Sequence, residues 1–238
     1  MTKLFTLRVI DVTVRVCSIF LLLGLCFSCQ NSGEGVVNEG AIEYEISYLE
    51  NNLDNIATNL LPKKMVLSFN ERYCLTQIDG FMGVFSISLI SDLRKNKDVT
   101  LVKFFDSKYV HYGEKNEHSC IFDHVKITAL QFKESEKNVF GYNTRKAEIT
   151  EEGQKKPYEI LFTHDISSIK PNSNNPFHEI DGVLLNFELQ LNQLRMSLEA
   201  TEVKQKTIND DLFLIPEDYK EVSRDNMCLL LDKILETN

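Results

Sequence analysis

The chain has 238 residues, 43% of them apolar, with 26 Lys and Arg against 35 Asp and Glu for a formal net charge of −9. An acidic chain repels phosphate, and no basic run interleaved with aromatics offsets that, so nucleic acid is excluded as a partner class. The apolar share is that of a globular chain, long enough for one large domain or two small ones.

The first element is a basic N-terminus carrying Lys3, Arg8 and Arg15, followed by an apolar stretch from Val16 to Ser28 and then Cys29. Crossing a hydrocarbon core takes roughly 20 apolar residues, so this shorter run reads as a secretory signal rather than a membrane-spanning helix. Small Ser28 before Cys29 makes it a lipoprotein signal, with Cys29 as the lipid anchor. Cys26 competes for that role, but bulky Leu25 precedes it. Cleavage before Cys29 leaves 23 basic against 34 acidic side chains, a net of about −11, which also disfavours electrostatic docking on anionic lipid. The expected organisation is a signal peptide over 1–28, a flexible Asn/Ser/Gly/Glu-rich tether over 29–40, and one sheet domain with a C-terminal helix over 41–238.

Period-two alternation dominates the rest. Ile42, Tyr44, Ile46 and Tyr48 alternate with Glu43, Glu45 and Ser47, the pattern of a half-buried strand. Met65–Phe69 and Tyr73–Ile78, separated by Asn70-Glu71-Arg72, predict a hairpin. Val84–Ile90, Asp98–Phe105 and Tyr109–Tyr112 follow as strands, and such short connections require antiparallel neighbours. Val125–Phe132, Asn143–Thr150, Tyr158–Thr163, Gly182–Asn192 and Arg195–Lys204 complete the strand pattern. Leu185, Phe187, Leu189 and Leu191 mark a dry face opposite wet Asn186, Glu188 and Gln190. Lys170–Pro176 reads as a surface loop.

Helix signals are two. Ser223 caps an expected terminal helix bearing Met227, Leu230, Leu231 and Ile234, and Glu50–Leu61 carries Leu53, Ile56, Leu60 and Leu61 on one side before Pro62. Of the mature cysteines Cys74, Cys120 and Cys228, any two can form a disulfide in an oxidising compartment, and all three also suit buried apolar positions.

Late in the chain come Gly141-Tyr142-Asn143-Thr144-Arg145-Lys146-Ala147, then Ile160–Ile166, Ile180-Asp181-Gly182-Val183-Leu184 and Pro216-Glu217-Asp218-Tyr219. This order resembles the GLPGLI family and the lipoprotein-carrier-like (LolA/LolB-type) periplasmic lipoproteins of Bacteroidetes. Ile180–Leu184 stands where the namesake motif has Leu-Pro-Gly-Leu-Ile. The resemblance implies a strongly curved antiparallel sheet, half-barrel like, with one to three helices against one face, and a concavity that holds acyl chains in the carriers.

Chemistry is sparse. His111, His118, Cys120 and His124 match no standard zinc spacing. His164 and Asp165 are strand neighbours pointing to opposite faces, and no serine sits in a Gly-x-Ser-x-Gly elbow. Glu151-Glu152, Asp210-Asp211 and Glu217-Asp218 read as solvated loop charges. The expectation is therefore a mainly β (α+β) envelope lipoprotein, not an enzyme, without metal or cofactor, held to the outer membrane facing the periplasm by the lipid on Cys29. It binds a lipid or acyl group in the concave face, with Phe81, Met82 and Phe85 as candidate contacts near the Asp79-Gly80 break. The alternative is an interaction module that holds an envelope protein partner by the sheet edge or the Phe81-Met82 loop.

Overall fold

The computed structural model describes residues 37–50, 61–134, 137–166, 170–173, 175–191 and 194–235. Cys29 and positions 51–60 of the expected Glu50–Leu61 helix lie outside them. The strands are β1 (Gly40–Glu50), β2 (Lys64–Phe69), β3 (Tyr73–Asp79), β4 (Phe85–Asp92), β5 (Lys97–Phe104), β6 (Ser107–Tyr112), β7 (Ile127–Lys133), β8 (Asn138–Val139), β9 (Tyr142–Asn143), β10 (Arg145–Glu151), β11 (Tyr158–Thr163), β12 (Val183–Leu191), β13 (Leu194–Gln205) and β14 (Lys220–Glu221). One α-helix, α1 (Arg224–Leu235), ends the described chain. Twelve strands form one open sheet in the order β14-β6-β5-β4-β3-β2-β1-β13-β12-β11-β10-β7, and β8 and β9 pair separately.

Local chemistry explains the hairpins. Asn70 Oδ1 accepts the backbone N–H of Arg72 and of Tyr73 at 2.9 and 2.8 Å, the self-bonding that suits Asn to a tight turn between β2 and β3. Asp92 Oδ1 does the same for Arg94 and Lys95 between β4 and β5. From β2 to β6 every connection is short and every pair antiparallel, as expected. The two halves of the sheet are joined by β1, which pairs with β2 on one side and with β13 on the other. At that junction Gly40 leaves no room for a side chain, since a Cβ would lie 2.4 Å from the Lys204 carbonyl oxygen.

Alternation sorts the faces as expected in β1 and β12: Ile42, Tyr44 and Ile46, with Leu185, Phe187 and Leu189, are buried in the main core. The one-sided expectation fails for β3 to β6. There Leu75, Ile90, Leu101 and Val110 pack a second cluster on the reverse face under Ile208 and Phe213, so these strands are dry on both sides. Phe213 stacks on Tyr73 with ring centroids 5.0 Å apart. The cover comes from residues 206–219, where only Asp210-Asp211 and Glu217-Asp218 stood out in sequence, as loop charges.

Ser223 caps α1 as expected, its Oγ accepting the Asn226 N–H at 3.4 Å. Met227 and Leu231 are buried from this helix. The open disulfide question resolves to Cys120–Cys228, leaving Cys74 buried and reduced. Val37, placed in the tether by composition, is buried and donates its N–H to Asp165 O at 3.1 Å. Among the described residues no helix is long and apolar enough to cross a membrane.

Candidate binding site

Residues 170–173 and 175–182 cross the main core face as a strap. Asn172 builds the crossing: its Nδ2 donates to Ile180 O at 2.9 Å and Gly182 O at 2.8 Å. Asn175 Nδ2 donates to Asn172 Oδ1 at 3.2 Å, and Asn175 Oδ1 accepts the Phe177 N–H at 2.9 Å. Asn172 and Asn175, in the tract that reads as a surface loop, thus spend their amides within the strap, and Phe177 turns inward. Phe177 is buried, edge-on to Phe187 at 5.8 Å between centroids. Gly182 ends the strap against β11, where a Cβ would meet Thr163 O at 2.7 Å.

The facing wall is the 3-10 turn Cys120–Phe122. Its sulfur is tied to α1 through Cys228, so Cys120 offers no thiolate to a metal. Behind it, Arg224 Nη2 donates to both oxygens of Asp123 at 2.8 and 2.9 Å, and its Nε lies 3.1 Å from Glu117 Oε1. Glu117 also accepts the Glu114 backbone N–H at 2.7 Å and pairs with His111 at 3.1 Å. The Glu114 N–H, then the His111 and Arg224 charges, hold the Glu117 carboxyl below the usual carboxylate value against the opposing effect of burial. These bonds set where Phe122 stands.

Between strap and wall lie two clefts. The outer one, about 290 Å³ and open to solvent, is lined by Phe122, Val125, Ile127, Leu130 and Phe177, with exposed His118, Asp123, His178 and Glu179 beside them. The inner one, about 70 Å³, is lined by Tyr44, Met65, Leu67, Thr76, Phe187 and Leu189, among others. Both touch Phe122, Asn175, Pro176 and Phe177, so these four residues divide a single trough into two. Tyr44 Oη donates to Leu184 O at 2.7 Å, and burial pushes its phenol pKa far up, so it stays neutral. The inner cleft carries no acid, base or reactive nucleophile, and its chemistry is that of apolar contact.

The residues singled out by sequence are elsewhere. Met82 is 86% exposed at a tip, in the left-handed region at φ 51°, and Phe85 opens β4 half-buried with its ring over Gly80. Neither lines a cleft; Phe81 shares the 3-10 turn Phe81–Gly83 with Met82. Phe104 and Phe105 stand edge to face on the next hairpin, Phe105 60% exposed and also at φ 51°. The clefts instead recruit the strap and the turn at 120–122. Their only sequence signal was an apolar residue, Phe177, stranded inside a polar loop.

One expected loop charge is a correction. Glu151 is 4% exposed, with Tyr158 Oη donating to its Oε2 at 3.3 Å and Arg195 Nη1 at 3.5 Å. Arg195 also donates from Nε and Nη2 to Glu188 Oε2 at 3.0 and 2.8 Å, and its guanidinium lies 5.0 Å over the Tyr158 ring. The turn after β10 begins one residue later than charge alone suggests, and Glu151 ends a strand facing the core.

No family model matches the chain, and no curated protein matches it.

Proposed function

We propose that this is a non-catalytic lipoprotein of the bacterial envelope, anchored through Cys29, that takes a single apolar chain of a lipid or acyl group into the trough beneath the strap. The observation that carries the reading is the solvent-open apolar cleft of about 290 Å³ that continues toward the inner one past Phe122 and Phe177. That volume lies at the small end of the ~300–1,000 Å³ usual for ligand sites, which suits one chain and not a whole diacyl lipid. In this reading the open sheet curves as a half-barrel around the strap side, and the carrier-like order of motifs near the C-terminus supports the same ligand class. The rival reading, a docking module, is favoured by the exposed Met82, Phe104 and Phe105 at the far tip.

A titration separates them. A fluorescent palmitate analogue is expected to bind the full chain saturably, and Val125→Trp, which fills the outer cleft, is expected to weaken binding at least about tenfold. Met82→Ser is expected to leave it unchanged. Binding insensitive to Val125→Trp, or absent, contradicts the proposal.

A further inference from the structure

The two ends of the sheet are finished differently. At one end β14 runs parallel to β6, covering Tyr109 and Val110, and the Val222 N–H continues the ladder onto Val110 O at 2.9 Å. At the other end β7 pairs with β10, and among the described residues its outer side carries no strand. An open edge presents unpaired N–H and C=O groups, and natural chains usually guard it with lysines that repel an incoming strand. Here the lysines at the two ends of β7 are turned onto acids in and just after β10 instead: Lys126 Nζ lies 3.1 Å from Glu152, and Lys133 pairs with Glu148. The outward N–H and C=O groups of alternate residues of β7 are left open among the described residues.

The core-facing side chains of β7 are also uncovered. Leu130 stands opposite Ile149 and Phe132 opposite Ala147, both core residues, so Leu130 and Phe132 point to the core face. Yet Leu130 is half-buried and Phe132 is 58% exposed. Phe132 borders a hollow of about 600 Å³ that also touches Phe162, Arg145, Glu179 and Asp181. Of the charged groups lining it, Lys133 and Lys146 are paired with Glu148 and Glu159, while Glu134, Glu179 and Asp181 stand against Arg145 with no ion-pair partner among the described residues. The balance is acidic.

We infer that β7 is an acceptor edge, to which an extended segment of another protein, apolar at alternate positions and carrying Lys or Arg, adds as a further strand. The backbone supplies the ladder, the alternate apolar side chains lie beside Leu130 and Phe132, and the base meets Glu179 and Asp181. A second copy of this chain is the poorer occupant, since it brings the same acids and the same negative charge to the contact. The inference shares Leu130 with the outer cleft but does not rest on the apolar-chain reading, because the ladder is the outer backbone of β7 and the charges are those of the Phe132 hollow.

The probe is a labelled peptide, Lys-Thr-Val-Thr-Val-Thr-Lys, titrated onto the full chain beside two controls: Glu replacing both Lys, and N-methylation of alternate backbone amides. The expected result is saturable binding that either control weakens at least about tenfold, with slowed amide exchange across 127–133. Phe132→Glu is expected to weaken it, and Asp181→Lys to shift preference toward the Glu peptide. No binding up to about 1 mM, equal binding of all three peptides, or binding without protection of β7 overturns the inference. So does a dimer in sedimentation that Phe132→Glu dissolves, which would make a second copy the occupant.

Discussion

Arg195 is 5% exposed, and its neighbours explain how a charge survives there: Glu188 and Glu151 accept from it, and the Tyr158 ring lies beneath it. Removing one partner of such a group leaves the other desolvated and uncompensated, whereas removing both charges together is far cheaper. Arg195→Met is therefore expected to lower stability by about 3–5 kcal/mol in urea unfolding, and adding Glu151→Gln to recover much of it. If the double substitution is no better than the single, the buried pair is not what holds this corner. Cys74 is a second residue-scale case. Burial, then the nearby Asp98 charge, pushes its thiol up to about 12, so almost no thiolate exists near neutral pH. A thiol reagent is expected to label Cys74 only as fast as the protein unfolds, and rapid labelling of the native chain would show the core at β3 to be open.

At the scale of elements, α1 and the 3-10 turn Cys120–Phe122 act as one piece, because Cys120 and Cys228 join them across a separation of 108 residues. Cross-linking so long a loop restricts the unfolded chain, and losing a native bridge typically costs about 2–5 kcal/mol. Cys228→Ala is expected to fall in that range and to weaken palmitate-analogue binding as Phe122 loses its support. A variant as stable as the parent would contradict this. Acid acts on the same piece through Glu117, whose carboxyl is depressed in the folded chain by the Glu114 N–H and the His111 and Arg224 charges. A depressed carboxyl contributes stability above its unfolded value of about 4.5, and that contribution is lost as pH falls through the lower folded value. Acid denaturation of Glu117→Gln should accordingly be shallower over that window than that of the parent chain. Which elements form was legible in the alternation of Ile42–Tyr48 and Leu185–Leu191 and in the Ser223 cap, since these are written in local spacing. The strap was not legible, because its burial depends on Asn172 turning both Nδ2 donors onto a backbone eight and ten residues away.

Across the whole molecule the sheet order is set by contacts that no local pattern encodes. Gly40 meets Gln205 across 165 residues of sequence, and β14 returns to run parallel to β6. Alternation tells which side of a strand is dry, not that residues 206–219 come back to dry the other side of β3–β6. The candidate site suffered the same limit: apolar residues beside glycines at 81–85 stood out in sequence, while the trough is assembled from Tyr44, Phe122, Phe177 and Phe187, which meet only on folding. The trough's occupancy carries the functional account. Native mass spectrometry of the full chain, purified from its host's envelope in parallel with Val125→Trp, measures it directly. The account predicts a parent mass accompanied by one acyl-bearing adduct that gentle activation releases and that the variant lacks. A parent mass with no such adduct, or an adduct equally present in Val125→Trp, would contradict it.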